Sequence, residues 1–264
     1  MFNILKRKKP LEVRFFTQRD GLVDLFPPMP ISKCIPEWWK NTPALLDSPP
    51  NQDPRHQFRP KKLNKSIKTC WSIQKTLELG IAFPLWEDNF ITVDHNGVVH
   101  PMRPNGSPDE RLGEQHPKQQ YPGLLNDDWV NWKFNAEWMA YTEEPMNFYM
   151  TQPFYHMQDR SWECMPGVIE FYWQHNLNIN TILRKPKGTD KKPSAIQYEF
   201  NAGTVMNYFM PMAHDRKIVI KAEQVTSREW EKLHYGYRMF TNSAAMHRKN
   251  NWGGCPFDVK GEKQ

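Results

Sequence analysis

Long apolar runs are missing from this chain. Nowhere do roughly 18 apolar residues follow one another, and the mean hydropathy is −0.78, so no helical membrane span is expected. Glycine is scarce beside proline, 13 against 23, which disfavours long helices and favours short elements joined by ordered loops. Cysteine is sparse. Cys34, Cys70, Cys164 and Cys255 form no CxxC pair, which argues against a zinc knuckle or a redox motif and predicts reduced thiols. The motifs GxGxxG, GxSxG, HExxH and the P-loop are all absent, so the usual nucleotide loops and the acyl-transfer elbow lack support. No cofactor is expected. The N-terminus MFNILKRKKP runs from apolar to basic, the reverse of a secretory signal, and predicts a cytoplasmic protein.

What is present is aromatic. Aromatic residues make up 13% of 264 residues, 11 of them Trp, enough for a substantial core. At roughly 100–200 residues per domain the chain holds one large domain or two small ones. Lys and Arg number 35 against 29 Asp and Glu, a net charge of +6. The excess gathers at Lys6, Arg7, Lys8 and Lys9, at Lys61, Lys62, Lys65 and Lys68, and at Arg248, Lys249, Lys260 and Lys263. Such a spread predicts weak, sequence-independent, salt-sensitive contact with nucleic acid.

Leu11–Phe16 alternates as a first strand. Nine prolines between Leu25 and Pro60 predict an extended arm, with IPEWWKNTP as a helical turn anchoring it through Trp38 and Trp39. Ser66–Leu79 reads as a short helix stopped by Gly80, then two strands around a bend at Glu87–Asn89. Asn96-Gly97 marks a hairpin. Pro101–Asn126 is expected to be a mobile polar loop. From Asp128 onward short aromatic strands follow, Gly167–Trp173 and Asn176–Leu183 being expected to pair with each other. Thr226-Ser227-Arg228-Glu229 fits a capping box, opening a helix to about Asn250 with Trp230, Leu233, Tyr237 and Phe240 on its apolar face.

The expected fold is mainly β: an antiparallel β-sandwich or small barrel with a proline-rich N-terminal arm and a C-terminal amphipathic helix. The boundaries are an arm at 1–60, a β domain at 61–225, a closing helix at 226–250 and a tail at 251–264.

Candidate binding residues are Glu170, Trp173, His175 and His214, placed at strand junctions where a pocket is expected. His214-Asp215 is a pair that can tune an imidazole, but a solvated corner gives the same sequence. Asp94, His95 and His100 flank the predicted hairpin and could meet across it as a small metal site, but chance proximity is the expected reading. Cys164 has no assignable base and is taken as structural. The stretch NFYMTQPFYHMQDRSW interleaves aromatic and basic residues in a way that can stack single-stranded bases, although core and rim aromatics of a β fold give the same pattern. No catalytic residue and no metal ligand are assigned.

Five segments resemble, in order, an uncharacterised family of tailed-phage proteins, including marine phages, with more distant bacterial members. They are PPMPISKCIPEWWKNTP, SIKTCWSIQKTLELGIAFPLWEDNFITVD, WKFNAEWMAYTEEPMNFYMTQPF, CMPGVIEFYWQHNLNINTIL and EFNAGTVMNYFMPM followed by SREW. The resemblance covers residues 25 to 250. It departs at Glu143-Glu144-Pro145-Met146, where relatives turn through Pro-Pro-Gly. It implies an origin and an architecture, and supplies no catalytic residues. The resulting expectation is a phage-encoded accessory or virion-associated protein in the host cytoplasm or the virion. It would act by binding other phage or host proteins, or itself, without contacting a membrane. The alternatives are a small-molecule or nucleotide-binding protein, or an enzyme, with a pocket among the aromatic strands, and a weak nucleic-acid binder.

Overall fold

The computed structural model describes residues 9–46, 64–121, 123–157, 161–172, 176–213 and 216–232. The first strand, β1 (Leu11–Thr17), is followed by α1 (Leu22–Leu25), β2 (Met29–Pro30), α2 (Glu37–Asn41), β3 (Leu45–Leu46), β4 (Asn64–Lys65) and α3 (Trp71–Leu79). Then come β5 (Ile81–Pro84), β6 (Asn89–Asp94), β7 (Val99–Met102), β8 (Gly113–His116), β9 (Trp129–Phe134), β10 (Met139–Tyr141) and β11 (Asn147–Thr151). The last are β12 (Trp162–Cys164), β13 (Gly167–Glu170), β14 (Ile179–Arg184), β15 (Ala195–Phe200), β16 (Val205–Pro211) and β17 (Ile218–Gln224).

The strands form sheets in the orders β10-β1-β17, β13-β11-β16-β5-β2, β12-β14-β9-β8 and β15-β6-β7, with the small pair β3-β4. All pairings are antiparallel except that of β1 with β17. The protein is mainly β and sandwich-like, and no sheet closes into a barrel among the described residues.

Burial follows the pleat. Strands β6 and β14 alternate between buried and half-buried or exposed positions, because one face looks inward. Strand β5 is buried at all four positions, the mark of a strand covered on both faces. On one side of it lies the main core, which joins Val13, Phe83, Phe134, Phe148, Phe171 and Phe209 across the sheets. Phe171 is central there: it stacks on Phe148 at 4.5 Å and meets Phe209 edge-on at 5.2 Å. On the other side Ile31, Trp39, Leu77, Ala82 and Tyr208 form a second cluster, through which the arm and α3 cover the sheet.

The described part of the arm packs onto the sheet through Ile31 and Trp39. Trp39 is buried, and the indole of Trp38 donates to the Tyr155 carbonyl at 2.8 Å. The hairpin at Asn96-Gly97 also forms, but by a different device. Only Gly97 has positive φ, and the Asp94 carboxylate accepts from the amides of Asn96 and Val98.

Several sequence expectations are corrected. Residues 101–126 are not one loop. They contain β8, and the buried Asp109 side chain ties the preceding turn by accepting from Arg103 at 2.7 Å and Arg111 at 2.8 Å. Strands β13 and β14 do not pair with each other. The first joins β11 and the second lies between β12 and β9, because Phe171, just after β13, is drawn into the core. The closing helix begins at residue 227 with the expected cap: Glu229 accepts from the Thr226 amide at 2.9 Å. Trp230 is half-buried. Leu233, Tyr237, Phe240 and the 251–264 tail lie outside the described residues.

Candidate functional site

A groove of about 760 Å³ lies between the β6–β7 hairpin and β8. That size falls within the roughly 300–1,000 Å³ of small-ligand sites. Two sheets meet here, and one side chain joins them. Gln115 on β8 accepts from the Val99 amide at 3.0 Å and donates to the Gly97 carbonyl at 2.6 Å. Both hydrogen bonds run to the hairpin, so the wall between the sheets is held by an amide that can do both jobs.

The apolar lining comes from Val99, Pro101, Met102 and Pro108, over a floor of Trp132. Trp132 is almost fully buried, and its indole nitrogen has no partner within the described residues. Gly113 permits this floor. A Cβ there would lie 2.2 Å from the Lys133 carbonyl and 2.8 Å from the Trp132 ring. The backbone at Gly113 is extended, so close approach is what requires glycine there.

The rim is acidic. Glu114 accepts from Lys133 and lies 3.3 Å from His116. Those hydrogen bonds, Lys133 first, hold its carboxyl below the ordinary glutamate range. Glu110 is exposed and makes no ion pair among the described residues. It stands next to Asp109, whose hydrogen bonds to Arg111 and then Arg103 depress its carboxyl far below the usual value. His100 lies across the groove, 3.5 Å from Asp94. The site thus presents an apolar floor beside two carboxylates, Glu114 paired with Lys133 and Glu110 left to face an apolar group bearing positive charge.

A second cavity of about 480 Å³ lies between β12 and β15, where Trp162, Tyr198 and Phe200 face His156. His156 is held from two sides. Its Nε2 lies 2.6 Å from the Cys34 carbonyl, and its Nδ1 meets the Tyr208 hydroxyl. A carbonyl can only accept, so Nε2 carries the hydrogen and Nδ1 accepts from Tyr208.

Of the four sequence-assigned binding residues, Glu170 is half-buried at the end of β13, opposite Asn147 of β11. The Asn147 carbonyl accepts in turn from Met212, after β16. Trp173, His175 and His214, with Asp215, lie outside the described residues. Neither cavity includes Glu170. His95 and His100 do not converge: His95 turns to Asp190 at 3.1 Å. Among the described residues no three His, Cys, Asp or Glu side chains group to hold a metal. The groove residues Glu110, Glu114 and Trp132 were not singled out from the sequence, because 101–126 reads as polar loop and Trp132 as one strand aromatic among many. The one available signal was the glycine before the alternating GEQH. No family model, no curated protein and no solved structure matches this chain.

Proposed function

We propose that this chain is a phage-encoded accessory or virion-associated protein that acts by binding rather than catalysis. The ordered resemblance from residue 25 to 250 supports the origin. The acidic-rimmed apolar groove is the observation that carries the binding reading. Its dimensions and charge suit a lysine or arginine side chain, with adjoining apolar residues, from a partner phage or host protein.

Two experiments test this. Mass spectrometry of purified virions should detect the protein at a stoichiometry matching a structural or packaged component, and its absence from them would overturn the virion-associated reading. Carbodiimide joins a carboxylate to an amine only when they touch, so it should link Glu110 to a partner lysine. Glu110→Gln should remove that link without lowering the melting temperature. A partner bound equally well by Glu110→Lys would sink the groove assignment.

A second reading, small-molecule or nucleotide binding, is favoured by the aromatic cavity under Trp162 and Tyr198. Quenching of tryptophan fluorescence by a nucleoside or other planar metabolite, lost in Trp162→Leu, would support it over the first.

A further inference from the structure

Two sequence features remain unused by the groove: the aromatic–basic stretch around Phe154 and the lysines near residue 65. The fold brings them together. The indole of Trp38 on α2 donates to Tyr155, and Phe154 meets Tyr155 edge-on at 5.5 Å. The Lys68 amine donates to the Lys40 carbonyl at 3.0 Å, joining the start of α3 to α2. The Lys75 ammonium lies 4.7 Å above the Trp71 ring.

These rings are out in water. Trp71 is 69% exposed, Phe154 51% and Trp38 41%. Three large aromatics left exposed on neighbouring elements are unusual for a surface with no role. The charge around them is one-sided: described residues 31–46 and 64–79 carry five lysines and only two carboxylates. Those two, Glu37 and Glu78, each pair with a lysine of the same helix.

From this juxtaposition we propose that the face formed by α2, the turn at 153–157 and the start of α3 binds single-stranded nucleic acid. Bases stack on Trp71 and Phe154, with Trp38 beside them, and lysines including Lys68 contact the phosphates. Stacking needs unpaired bases whose faces are accessible, so single strands are preferred over duplex. Contacts to phosphate carry no sequence information, so the binding is sequence-tolerant and salt-dependent.

The test uses the full chain and a fluorescein-labelled oligothymidylate of about 20 nucleotides, long enough for one such site, read by anisotropy across a salt series. Single strand should bind at least about tenfold more tightly than duplex of the same length. The double variant Trp71→Ala with Phe154→Ala should weaken binding by about tenfold or more. Trp71→Phe, which keeps a ring, should retain most of the affinity. Lys68→Glu should weaken binding and flatten its salt dependence. Both aromatics are exposed, so melting temperatures should stay at the parent value. Equal affinity for duplex, undiminished binding by the double variant, or no binding at low salt would each overturn the proposal. The first two would assign the charge effect to basic clusters elsewhere in the chain.

Discussion

Three thiols show how environment separates identical side chains. Cys164 is buried, and that burial pushes its pKa up to about 12. Burial raises Cys34 to about 11. Cys70 caps the start of α3, where the Ile73 amide and then the Ser72 hydroxyl lower its pKa. With iodoacetamide near pH 8, Cys70 should therefore react fastest. Cys34 and Cys164 should react only as the protein opens, and equal rates for all three would refute this. Cys34 and Cys164 also set an alkaline limit. Their folded pKa values exceed the ordinary value of about 8.5, so the unfolded chain loses protons first. Stability is complete below that value and is lost as pH rises toward 11. Asp109 does the opposite at the acid end. Its depressed carboxyl stabilises the fold above the ordinary aspartate value of about 3.9, and that contribution is lost as pH falls. Asp109→Asn should lower the melting temperature at pH 7 and flatten its fall with acid. A variant with the parent's acid limb would show that the Arg103–Asp109–Arg111 corner is unimportant.

At the scale of elements, β8 depends on one missing side chain. Gly113→Ala would place a carbon against the Lys133 carbonyl, where backbone cannot yield as a flexible side chain can. The cost should be about 1–3 kcal/mol, the range for overpacking, measured by urea unfolding, and the partner binding proposed for the groove should weaken. A neutral Gly113→Ala would mean that β8 and β9 separate easily. The cap at residue 226 is another local device. Thr226→Ala should cost about 1 kcal/mol. Trp230 is half-buried, so its truncation should cost less than the roughly 3–5 kcal/mol of a core aromatic. Strands, the arm's helical turn and the cap were legible because their signals are local: alternation, a proline before two tryptophans, a hydroxyl three residues before a carboxylate. Strand partners beyond the Asn96-Gly97 hairpin were not. Phe171 entering the core sends β13 to β11, and nothing within GVIE states that choice. Glu110 and Glu114 were invisible for the same reason, since their meaning depends on a hairpin from elsewhere packing beside them.

At the scale of the whole molecule, the arm and the sheets are joined through His156. It receives the Tyr208 hydroxyl from β16 and donates to the Cys34 carbonyl on the arm. Burial, the larger influence, lowers its pKa, and the Cys34 carbonyl opposes that. The folded state therefore holds imidazole neutral, and a proton would remove the acceptor that Tyr208 needs. Below the ordinary histidine value of about 6.5 the unfolded chain binds the proton more readily, so this contribution is present above that pH and lost as pH falls. The groups facing His156 do not titrate in that window: burial raises the Tyr208 and Tyr155 phenols, and the Cys34 thiol stays near 11. Going from pH 7 to pH 5 should thus loosen the arm before the main core. Amide hydrogen-exchange protection should fall first in residues 31–42, while Ile91, Phe148 and Phe209 keep theirs. His156→Gln should remove the pH dependence of the arm, and His156→Ala should cost about 1–3 kcal/mol by leaving the buried Tyr208 hydroxyl without its acceptor. If the arm and the core lose protection together at pH 5, or the arm of His156→Gln responds like the parent's, the imidazole is not what holds them together.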